Sequence, residues 1–176
     1  VEEIKAMFKI TANLLHKSAI GLMYGAGLRV GEARRLMVSD IDFDRMVIHV
    51  RQGKGRRDRY VPLSANLAVV LKAYFRKHNV SGYVFANKGK AYTEQGMRYI
   101  VKTATQRAGI AKDVHCHTLR HSFATHQLEM GISILDVQAN LGHSDLRTTC
   151  MYLHVARMPD RKRNISPLDI IYPVKG

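Results

Sequence analysis

Arg120 stands between two histidines in the run His117-Thr118-Leu119-Arg120-His121, and a further motif, Leu141-Gly142-His143-Ser144, is soon followed by Tyr152. These residue types suit a phosphodiester better than a protein core. A guanidinium offers a planar fork of donors to non-bridging oxygens, an imidazole moves a proton near neutral pH, and a phenol can act as a nucleophile. His117 lies three residues before Arg120, which stacks the two side chains on one helical face. A second arginine arrives much earlier, in Tyr24-Gly25-Ala26-Gly27-Leu28-Arg29-Val30-Gly31-Glu32, an apolar and glycine-rich segment that argues against a solvated face. Between the two lies a lysine framed by glycines, Gly53-Lys54-Gly55-Arg56-Arg57.

These side chains must be positioned by regular elements. Apolar residues from Ile4 to Met23 recur at near-helical spacing, Gly25 and Gly27 interrupt them, and Leu28 to Met37 resumes as a second helix entered just after Arg29. From Ile41 the period shortens to β-like alternation, with Met46 to Val50 and Asp58 to Leu63 as two strands around a turn at Gln52 to Arg57. Pro62 points to a sheet edge or a strand end. Ser64 caps a helix to about His78, Asn79 to Lys90 is rich in turns, and Glu94 to Ala108 is helical in spacing until Gly109. Three further helices are expected near Thr118 to Met130, Ile134 to Leu141 and Leu146 to Val155, with Gly131 and Gly142 stopping the first two. Pro159 and Pro167 mark a tail. The expected class is mainly α with a small antiparallel β-sheet (α+β), in one domain.

Composition narrows the partner. The chain has 176 residues with 28 Lys plus Arg against 14 Asp plus Glu, a formal charge of +14, and the usual partner of such a field is a polyanion. No apolar run reaches transmembrane length and no basic amphipathic helix carries an aromatic apolar face, so nucleic acid is expected and membrane is not. Two cysteines, Cys116 and Cys150, make no disulfide framework and suit a reducing cytosol. The cluster His115-Cys116-His117 with His121 is dense enough to weigh as a metal site. It lacks the acidic third member of a hydrolytic zinc helix and a second cysteine pair, so no metal and no cofactor are expected.

Arg, Lys, His, Arg, His and Tyr, in that order, resemble the catalytic domain of the tyrosine recombinases, also called the phage-integrase family. The resemblance covers roughly Val1 to Val155. The pattern His-x-Leu-Arg is met by His117, Leu119 and Arg120, Leu-Gly-His-Ser precedes Tyr152 at the family's spacing, and Gly-Lys-Gly precedes a strand ending Val61-Pro62-Leu63. The resemblance implies the integrase catalytic-domain fold and metal-free cutting and rejoining of DNA through a 3′-phosphotyrosyl bond. It implies that Arg29 and Arg120 clamp the phosphate, His117 assists removal of the nucleophile's proton, His143 donates to the scissile phosphate, Lys54 protonates the leaving 5′ oxygen and Tyr152 attacks. Glu32 would orient Arg29 or cap the local turn. Arg56, Arg57 and Arg59 would contact DNA backbone, while His121 and His126 receive no role.

The domain is expected over residues 1–157, with a tail over 158–176 whose run Leu168 to Tyr172 contacts a neighbouring subunit. The chain begins at Val1 inside a helical pattern, so a preceding DNA-gripping helical domain is expected in a longer protein. The implied partners are double-stranded DNA and a tetramer on paired sites, in the cytoplasm on the nucleoid. Two other readings stay open: a type IB topoisomerase-like nicking and closing enzyme, and a DNA-binding accessory protein of a mobile element.

Overall fold

The computed structural model of the chain describes residues 1–51 and 58–156. The turn that carries Lys54, Arg56 and Arg57 and the tail beyond Ala156 lie outside the described residues. The apolar pattern from Ile4 to Met23 forms two helices, α1 (Glu2–Ile10) and α2 (Leu14–Gly25), where one was expected. The break has a local cause. The Thr11 hydroxyl donates to the Met7 carbonyl at 2.7 Å, and the Asn13 side chain caps α2 by accepting from the His16 amide at 3.2 Å.

Six consecutive residues of α2, Ser18 to Met23, are buried, so the helix is enclosed on all sides and packs against α4 (Ala65–His78), α5 (Glu94–Arg107) and α6 (Cys116–Glu129). The helix entered after Arg29 is short, α3 (Val30–Arg35). The small antiparallel sheet is present, with a strand added to the two expected: β1 (Ile41–Asp42), β2 (Val47–Val50) and β3 (Arg59–Pro62) pair antiparallel in that order, with Ile48 opposite Val61. Pro62 ends the edge strand β3, where its missing donor breaks no ladder. A second, minimal hairpin joins β4 (Ala86–Asn87) to β5 (Lys90–Ala91) inside the turn-rich stretch. Ser64 and Thr93 cap α4 and α5 through their hydroxyl oxygens.

The chain ends its described course in α7 (Ile134–Leu141), closed by Gly142 in the left-handed region, and α8 (Leu146–Cys150). The single helix expected to Val155 tightens after Cys150 into a 3₁₀ turn, Met151–His154. Among the described residues, buried side chains form two clusters. The larger surrounds α2 and includes Leu28, Ile48, Leu71, Phe85, Ile100 and Leu119. The smaller gathers Phe123, Ala124, Leu128, Val137, Leu141 and Tyr152. At about 1.5–3 kcal/mol per buried large side chain, the smaller cluster alone cannot order its segment against about 1–2 kcal/mol of backbone entropy per residue. It holds because α6 belongs to both clusters, and the residues singled out by chemistry lie along that seam. Among the described residues no helix is long and apolar enough to cross a membrane.

The tightest point of the seam is Gly27. Its φ is +62°, and a Cβ there would lie 2.5 Å from Cδ1 of Phe123. Gly27→Ala therefore combines a left-handed backbone with a steric clash and should lower the unfolding free energy by about 2–4 kcal/mol. Denaturant titration measures this; an unchanged midpoint would mean that the turn and Phe123 are not in contact.

Candidate active site

Gly27 reverses the chain at the end of α2, so that Leu28 turns inward and Arg29 becomes the N-cap of α3. Glu32, at the third helical position, reaches back to the turn. Its Oε2 accepts from the Arg29 amide at 2.8 Å, and its Oε1 accepts from Arg29 Nη1 at 2.9 Å. The same carboxylate is gripped from the sheet by Arg59, whose Nη1 and Nη2 donate to Oε1 and Oε2 at 3.0 and 2.9 Å, a bidentate pair. A third guanidinium approaches as well: Arg120 Nη1 lies 3.8 Å from Oε2. One buried carboxylate thus faces three arginines. Burial alone would raise the Glu32 pKa; the hydrogen bonds and charge of Arg59, followed by those of Arg29, overturn that and hold it at about 2.

Arg59 corrects an expectation. With Arg56 and Arg57 it was read as a backbone-contacting residue of the loop, yet its side chain is 9% exposed and its Nε donates to the Asn140 carbonyl at 2.8 Å. The reason is strand parity. Arg59 and Val61 face the same way on β3, inward, whereas Tyr60 and Pro62 face out.

Arg120 is 4% exposed and spans the seam. Nη1 donates to the Gly27 carbonyl and Nη2 to the Leu141 carbonyl, both at 2.6 Å, and Nη2 also lies 3.1 Å from Nε2 of His143. Burial, then repulsion from Arg29, lowers its pKa to about 10, which leaves it charged at neutral pH. A guanidinium can only donate, so Nε2 of His143 is the acceptor and its other nitrogen, Nδ1, donates to Thr149 Oγ1 at 3.0 Å. Burial, then Arg120, Arg29 and Arg59, press the His143 pKa down to about 4, and the ring is neutral at neutral pH.

Tyr152, in the 3₁₀ turn after α8, is 6% exposed. Its ring stacks on His143 with centroids 6.4 Å apart and meets His121 at 5.3 Å. Burial raises the phenol pKa, with Arg120 and Arg29 opposing. His117 is exposed near the start of α6, its ring 6.4 Å from that of His121. Besides His143, the histidine in contact with Tyr152 is therefore His121 and not His117, and sequence reasoning gave His121 no role. The four-residue spacing of His117 and His121 was the available signal, since it sets both on one face. Arg29, Glu32, Arg120, His143 and Tyr152 converge; His117 stands one ring away. Thr149 and Gly27 were missed because one acts through a hydroxyl and the other through a carbonyl.

The Glu32 cluster has a pH signature. An acid held at about 2 instead of its ordinary 4.5 lends stability that is fully present above pH 4.5 and is lost as pH falls towards 2. The difference in unfolding free energy between the wild type and Glu32→Gln should be flat above that range and shrink by about 3 kcal/mol across it. Chemical denaturation at stepped pH measures this, and a difference that stays constant down to pH 2 would show that the arginines do not hold the carboxylate.

The chain matches the phage integrase family over residues 1–158. It is 43% identical to a tyrosine recombinase of Thermosipho africanus over 89% of this chain and 55% of that protein. It is 38% identical to tyrosine recombinase XerA of Pyrococcus horikoshii over 88% of this chain and 55% of the relative. Among solved structures it resembles XerA recombinase, with a TM-score of 0.82 and 28% identity, over 90% of this chain and 59% of that one. It also resembles XerH recombinase bound to palindromic difH substrate after cleavage, with a TM-score of 0.77 and 26% identity, over 97% of this chain and 52% of that one. The chain spans about half the length of the curated relatives it matches. With this fold and this order of motifs, the chain belongs to the phage integrase family.

Proposed function

We propose that this chain is the catalytic domain of a site-specific DNA recombinase that cuts and rejoins duplex DNA without metal or ATP. The observation that carries the reading is the surplus charge at the seam: Arg29, Arg59 and Arg120 around the single carboxylate of Glu32, with His143 and Tyr152 beside them. Three positive charges against one negative leave a field for a phosphate anion. It lies in a site whose donors are already fixed by hydrogen bonds to the fold, and such preorganised donors are worth most where charge develops.

In this reading the Tyr152 oxygen forms a bond to phosphorus as the bond to the 5′ oxygen breaks. The phenol proton passes to a base, the role read for His117, and the 5′ oxygen takes a proton from Lys54. Arg29 and Arg120 neutralise the non-bridging oxygens, and His143 donates to the phosphate. Rejoining reverses these movements with the 5′-hydroxyl of a partner strand. The +14 charge supports a DNA partner, and the names of the relatives support exchange over simple nicking. We place the working form as a tetramer on paired sites. Arg56 and Arg57 contact the DNA backbone, whereas Arg59 holds Glu32.

The full natural protein, incubated with a random-sequence duplex library carrying single nicks, should capture DNA covalently, and the captured molecules should share a site. Denaturing gels and peptide mapping should place the DNA on Tyr152, and Tyr152→Phe should abolish the adduct. An adduct that survives in Tyr152→Phe would remove the nucleophile. Relaxation of supercoiled plasmid without a shared site would instead identify a nicking and closing enzyme.

A further inference from the structure

Thr149 is wholly buried on α8, three residues before Tyr152, and its Oγ1 accepts from Nδ1 of His143 at 3.0 Å. On the far side of the ring Nε2 accepts from Arg120 at 3.1 Å. The ring hydrogen is therefore on Nδ1, and in that form Nε2 has nothing to donate to a phosphate oxygen. Protonating the ring at both nitrogens is opposed by the surroundings. Arg120, Arg29 and Arg59 already face it, with Glu32 as the opposing charge and Tyr152 stacked on its plane. The remaining route is to move the hydrogen from one nitrogen to the other. A carbonyl at the position of Oγ1 would lock it on Nδ1 and an amide N–H would lock it on Nε2, whereas a hydroxyl serves either state by rotation.

We propose that Thr149 is a positioning residue that switches the tautomer of His143 between DNA-free and DNA-bound states. Its oxygen accepts from Nδ1–H while Arg120 occupies Nε2. When a phosphate oxygen takes the Nη2 hydrogen that Arg120 gives to Nε2, Nδ1 gives its proton to water, Nε2 takes one up, and the Thr149 hydroxyl rotates to donate to Nδ1. The ring stays neutral throughout and now presents Nε2–H to the phosphate. Because Thr149 and Tyr152 share one short segment, the state of the ring is tied to the placement of the nucleophile. The proposal rests on the reading of His143 as a phosphate donor.

Side-chain ¹⁵N spectra of the DNA-free chain at neutral pH test the first state, and His143 should show hydrogen on Nδ1 and a bare Nε2. Hydrogen on Nε2, or a doubly protonated ring, would overturn the proposal. Adduct formation on the captured duplex tests the second. Thr149→Val should slow it about tenfold or more, the effect of leaving a buried ring nitrogen unpartnered, and Thr149→Ser should restore most of the rate. The decisive arm is His143→Trp, whose indole N–H donates and has no second nitrogen to satisfy. In that background Thr149→Val should cost nothing further, and an equal cost in both backgrounds would reduce Thr149 to packing and overturn the switch. A wild type that forms no adduct would sink the recombinase reading and the DNA-bound half of the proposal together. The DNA-free spectrum tests the other half by itself.

Discussion

Three guanidiniums share one buried carboxylate, and the arrangement of the site follows from how that carboxylate is held. Glu32 belongs to α3, Arg59 to the sheet, Arg120 to the helix common to both apolar clusters, and Arg29 to the turn after α2. Without the carboxylate, the arginines would repel one another in a region where solvent screens little. With it, each is fixed at a distance from the others, and the group still carries excess positive charge. A buried ion pair by itself is weak evidence for stability, since desolvation opposes it. The more telling fact is that the pairing leaves the site unbalanced, as a receptor for an anion must be.

The same bonds join elements remote in sequence. Arg120 ties the Gly27 carbonyl to the Leu141 carbonyl, 93 and 21 residues away, and Arg59 ties the edge strand to Asn140 at the end of α7. The end of α7 then delivers His143, the next short helix delivers Thr149, and the 3₁₀ turn after it delivers Tyr152. Folding the smaller cluster onto α6 and assembling the site are therefore one event. Tyr152, the proposed nucleophile, also belongs to that cluster, so it is part of the core, with burial raising its pKa.

Much of this was legible in residue types and spacing, and the parts that were not have physical reasons. Ser64 marked the start of α4, Gly109 the end of α5 and Gly142 the end of α7, and the structure follows these signals closely. The break between α1 and α2 hides in Thr11 and Asn13, polar residues whose caps do not disturb the apolar period. β1 is two residues long, too short for alternation to register. In the site, Arg29 and Arg120 stood out by their surroundings, but Arg59 looked like its basic neighbours. Its parity with Val61 was the only clue, and a lone inward arginine needs its acid in place before it makes sense. His121 was weighed as a metal ligand and otherwise read as a packing or solvated residue, and its contact with Tyr152 depends on how the 3₁₀ turn folds back on α6.

The central claim, that this arginine cluster is a phosphate receptor, is tested most directly by locating the phosphate. A crystal structure with a nicked duplex carrying the captured site should show the scissile phosphorus within hydrogen-bonding reach of Arg29, Arg120 and His143, with Glu32 still paired to Arg59. A phosphorus bound elsewhere, or engaged by neither arginine, would contradict the account.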